Sequence, residues 1–133
     1  MNRHLFWKTT AASVIALSTA TFLFGTAALA HGSTKPKHGG VVQTAGETLF
    51  ELTVRPDSVA LYVTDDDEEV ASSGMVAKLT IAYKGAKSEV TLEPVAGNKF
   101  EGKGVKVVSG SKVGVLLTNK ATQAKVSANF VIE

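Results

Sequence analysis

Residues 48–65, TLFELTVRPDSVALYVTD, alternate apolar and polar side chains through two runs separated by a proline turn. In the first run Phe50, Leu52 and Val54 share one face of an extended strand, and Leu49, Glu51 and Thr53 share the other. Arg55-Pro56-Asp57-Ser58 then supplies turn chemistry, with proline at the second position. The second run sets Val59, Leu61 and Val63 against Ala60, Tyr62 and Thr64, so the two runs read as an antiparallel hairpin.

The same period of two continues toward the C-terminus. From Met75 it groups Ala77, Leu79, Ile81 and Tyr83, and after Lys84-Gly85-Ala86-Lys87 it groups Val90 and Leu92. NKFEG, GVKVVS and KVGVLLTN read as further strands, and KVSANFVIE places Val126, Ala128, Phe130 and Ile132 together. No segment carries a helical apolar stripe of ten residues or more. The expected fold is all-β, an antiparallel Ig-like or Greek-key β-sandwich of seven or eight short strands, with a small closed barrel as the competing architecture. The cysteine and tryptophan pattern of true immunoglobulin domains is missing, because the chain has no cysteine and Trp7 precedes the sheet.

Upstream, residues 1–30 read as a secretory signal peptide. Arg3 and Lys8 give a positive start, Ala11 to Phe24 an apolar run, and Ala28-Leu29-Ala30 a small-residue cleavage site. Residues 31–40, HGSTKPKHGG, read as a flexible arm containing histidine and glycine, and residues 41–133 as a single sandwich domain. The expected location is periplasmic or secreted, with no stable membrane insertion after signal cleavage. Both surplus cations, Arg3 and Lys8, lie in the leader, so residues 31–133 carry twelve basic and twelve acidic side chains. That balance argues against nucleic-acid binding driven by phosphate attraction.

Zero cysteines exclude a disulfide framework, a thiolate metal site and a cysteine nucleophile. After the leader only His31 and His38 remain, both in the arm, which leaves no Ser-His-Asp arrangement and points away from an enzyme. Cleavage after Ala30 would make His31 the amino terminus, where the free amine and the imidazole chelate one metal ion. Nitrogen donors of this kind favour copper(II), with zinc or nickel as weaker competitors. His38 lies close enough along the arm to add a ligand. Asp65, Asp66 and Asp67 offer hard oxygens from an acidic stretch that continues through Glu68 and Glu69, although its spacing is not that of an EF-hand loop. Met75 is the only methionine after the leader, so a methionine-rich copper(I) site is unavailable.

HGG at 38–40, FEL at 50–52, LYVTD at 61–65 and PVAGNKFEGKG at 94–104 together resemble small exported proteins and adaptor-associated modules of heavy-metal efflux and copper-handling systems. The resemblance implies a periplasmic β-sandwich that delivers or senses metal beside an efflux-system or other envelope protein, without turnover. Such sequences often carry histidine beside FEL and after LYV; here Leu49, Asp66 and Asp67 stand there. A second resemblance, to copper-resistance sandwiches whose mature chain begins with histidine, implies copper(II) as the metal. The competing expectation is an envelope protein–protein interaction module with no specific metal site, whose exposed sheet edges add a partner strand.

Overall fold

The computed structural model describes residues 34–133, and the expectations for the leader and for His31 lie outside them. The described chain forms ten strands: β1 Val41–Ala45, β2 Thr48–Arg55, β3 Ser58–Asp65, β4 Glu68–Glu69, β5 Met75–Tyr83, β6 Ala86–Thr91, β7 Glu93–Pro94, β8 Lys99–Lys103, β9 Lys112–Asn119 and β10 Lys125–Val131. Eight of these have five residues or more, while β4 and β7 are two-residue ladders. The first sheet runs β1-β2-β3-β8-β7, with β4 also on β3, and the second runs β10-β9-β5-β6. Every pairing is antiparallel. Among the described residues no ladder joins β10 to β1 or β6 to β7, so the architecture is a sandwich and not a closed barrel.

Side-chain alternation decides which faces meet. Phe50 and Leu52 of β2, Val59, Leu61 and Val63 of β3, and Phe100 of β8 turn inward from the first sheet. Ala77, Leu79 and Ile81 of β5, Val113, Val115 and Leu117 of β9, and Ala128 and Phe130 of β10 meet them from the second. Each large side chain buried this way is worth about 1.5–3 kcal/mol relative to exposure. Phe50, Phe100 and Phe130 are the bulkiest members of the core. Tyr83 shares the face of Ile81 but ends β5, and there it is exposed.

Turns close the hairpins with backbone of the right hand. Asp66 and Asp67 (φ 49° and 63°) join β3 to β4, and Lys84 and Gly85 (φ 45° and 79°) join β5 to β6. Two consecutive left-handed residues are the mark of the type I′ turn, whose twist matches that of the strands. Residues 41–45 form an edge strand at the start of the sandwich domain. One sequence expectation differs from the structure. Residues 104–109, expected as a strand, cross between β8 and β9 without a ladder, because Gly104 takes φ 73° and its N–H donates to the Asp57 carbonyl.

Candidate functional site

The outer face of the first sheet carries Leu49, Glu51 and Thr53 from β2 beside Ala60, Tyr62 and Thr64 from β3, with Glu51 and Tyr62 directly opposite in register. A carboxylate at the middle of such a face would ordinarily stand in water. Glu51 is instead only 3% exposed, because the arm folds across it. The N–H groups of Lys37, His38 and Gly40 donate to its two oxygens at 2.9, 2.7 and 3.0 Å. His38 Nδ1 stands 3.0 Å from Oε1. Four donors therefore converge on one carboxylate, which makes the end of the arm part of the fold.

Burial by itself raises the Glu51 pKa. The Gly40 amide, the His38 ring and the Lys37 and His38 amides outweigh that effect and hold it below its ordinary value. An ionised carboxylate only accepts, so Nδ1 carries the proton shared with Glu51, and neutral His38 keeps its lone pair on Nε2. The ring is fixed a second way. It lies against Tyr62, with centroids 3.5 Å apart and planes 4° from parallel. On β8, Lys99 reaches Glu101 at 2.9 Å and stands 5.8 Å from the Tyr62 ring centre.

His38, Glu51 and Tyr62 border a depression of about 90 Å³, whose rim also includes Lys35, Asp67 and Glu69. The structure thus brings Asp67 of the acidic stretch and His38 of the arm to one place. Asp65 is turned to another task, accepting from the Thr48 hydroxyl at 3.3 Å, and Asp66 serves in the turn. Neither lines the depression. Among the described residues no three histidine or acidic side chains are grouped closely enough to hold a metal ion by themselves. His31 is outside the described residues.

Charge along this sheet is uneven. Glu47, Asp65, Asp66, Asp67, Glu68 and Glu69 outnumber Lys35 and Lys37 at the end nearest the depression, whereas Arg55, Lys103 and Lys106 outnumber Asp57 at the other. In the sequence Glu51 shares a face with Leu49 and Thr53 and carries no evident task, and Tyr62 reads as an ordinary sheet residue. The available signal was a lone carboxylate amid apolar and hydroxyl side chains, following a glycine-rich arm whose amides needed acceptors. No helix among the described residues is long and apolar enough to cross a membrane. Comparison with protein-family models, with curated proteins and with solved structures finds no match.

Proposed function

We propose that this chain is an exported, non-catalytic metal-binding protein that holds one divalent transition-metal ion, copper(II) ahead of zinc or nickel. His38 Nε2 is the anchored ligand, the amine and imidazole of His31 complete the nitrogen set, and Asp67 offers an oxygen from the rim. The observation that carries this reading is the His38–Glu51 pair. A carboxylate on one ring nitrogen fixes the tautomer, orients the ring and makes the other nitrogen a better donor, as second-shell carboxylates do for metal-ligating histidines. Residues 31 to 38 span about 24 Å when extended, ample for His31 to reach the same depression.

Copper(II) titration of the exported protein, with intact mass reporting its first residue and electron paramagnetic resonance reporting the donors, tests the proposal. The expected result is one tight equivalent with a nitrogen-rich signal. His38→Ala removes a nitrogen from that signal, and Glu51→Gln weakens binding by roughly ten- to a hundredfold. Circular dichroism confirms that each variant is folded. Binding that is weak, or indifferent to both His31→Ala and His38→Ala, overturns the reading.

A further inference from the structure

The four outer strands of the two sheets are finished differently. On one side of the sandwich β6 exposes Lys87 and Glu89, and β7 contains Pro94, features that discourage another strand from adding. On the opposite side β1 and β10 have neither proline nor a charge within their central residues. β1 and β10 approach each other at this corner, and a cleft of about 600 Å³ lined by Val41, Val54, Val131 and Ile132 among others opens beside them. Val131 is 59% exposed there.

The hydrogen-bonding direction of β10 is fixed by its contacts with the β9 side. Ile132 N–H donates to the Ser111 carbonyl, the Ile132 carbonyl accepts from Gly110, and the Ala124 carbonyl accepts from Asn119. Even-numbered residues therefore point their backbone groups at β9. By alternation, Ser127, Asn129 and Val131 direct theirs away from the sheet.

We propose that this edge pairs with β10 of a second copy of the chain, antiparallel about a twofold axis at Asn129. That register sets Ser127 opposite Val131 and Lys125 opposite Glu133, so both ends of the paired strands bring opposite charges together. Neither Lys125 nor Glu133 has an ion-pair partner among the described residues. A shift of two residues loses this match and sets Lys125 against Val131. The twofold arrangement makes the contact self-complementary and closed, which caps the edge without starting a fibre. This pairing is independent of the metal site, since His38 lies on the outer face of the other sheet.

Sedimentation equilibrium of the exported protein in a metal chelator tests the pairing. The expected behaviour is a reversible monomer–dimer equilibrium. Lys125→Glu and Glu133→Lys each create two like-charge pairs across the axis and weaken association by roughly tenfold. The double swap Lys125→Glu with Glu133→Lys restores it to within about threefold of the parent. Both positions are exposed, and circular dichroism checks that the fold is kept. A protein that remains monomeric at all concentrations, a dimer indifferent to either reversal, or a double swap that fails to rescue would each overturn the proposal.

Discussion

His38 lies flat on Tyr62, 3.5 Å between ring centroids, while its Nδ1 is tied to Glu51 at 3.0 Å. A stack on one face and a hydrogen bond at one edge leave the imidazole little freedom, and ordering a ligand in advance favours binding. Tyr62→Ala removes the stack and leaves the Glu51 contact. The expected outcome is a three- to tenfold loss of copper(II) affinity, roughly the value of one aromatic pair, with Tm lowered by a few degrees because the stack also stabilises the metal-free fold. Titration beside a thermal melt separates the two effects.

Acid should loosen the arm through Glu51. Its pKa is lowered in the folded protein, so its stabilising contribution is complete above the unfolded value of 4.5 and disappears as pH falls through the folded one. Urea unfolding of the metal-free protein across this range should show the loss. Glu51→Gln should remove this component of the pH profile and cost about 2 kcal/mol at neutral pH, the usual scale for hydrogen bonds to a charged group. An unchanged profile in the variant would assign the acid response to other groups.

Gly40 is where the arm passes into β1, and the passage has no room for a side chain. A Cβ there would overlap the Leu52 carbonyl oxygen and stand 2.8 Å from its carbon, both backbone atoms. Gly40→Ala therefore has to displace the arm or the strand. A cost of about 1–3 kcal/mol is expected. Tm should fall by about 4–8 °C per kcal/mol in a domain of this size, with faster tryptic cleavage after Lys37 as the arm comes away from Glu51.

Lys84 occupies the first left-handed position of the β5–β6 turn, at φ 45°, and Gly85 the second. Lys84→Asn converts the pair to Asn-Gly, the residues that this turn favours most. The expected gain is about 0.5–1 kcal/mol from relieved backbone strain. Denaturant unfolding should show a higher midpoint with an unchanged slope.

The sandwich was legible wherever one residue in two is apolar. Phe50 and Leu52, Val59 through Val63, Ala77 through Ile81, and Ala128 through Ile132 are buried on the faces that their alternation indicates. GVKVVS resembles a strand only in composition. Its glycine and its tie to Asp57 decide otherwise, and both depend on neighbours distant in sequence. The sequence offers His38 and an oxygen of the acidic stretch as ligands without showing that they meet, and what brings His38 to the rim shared with Asp67 is hidden because it rests on Glu51. A carboxylate on an outer face reads as solvated until the chain that covers it is seen, and three of the four groups that hold it are backbone amides, which any sequence would supply. Glycine at 40 is a local clue that the backbone comes so close.

The uneven charge of the first sheet makes it an electric dipole. An eight-residue strand such as β3 is about 27 Å long, roughly three screening lengths at physiological salt. An approaching cation thus senses the acidic turn and very little of the basic rim beyond it. The field gathers cations over the end where His38 is held, so association with a free metal ion should slow as salt is added while dissociation stays nearly constant. On the proposed function, a metal ion carried by an anionic chelator would lose that attraction and arrive more slowly, so the sheet would discriminate between free and escorted ions before any ligand is exchanged.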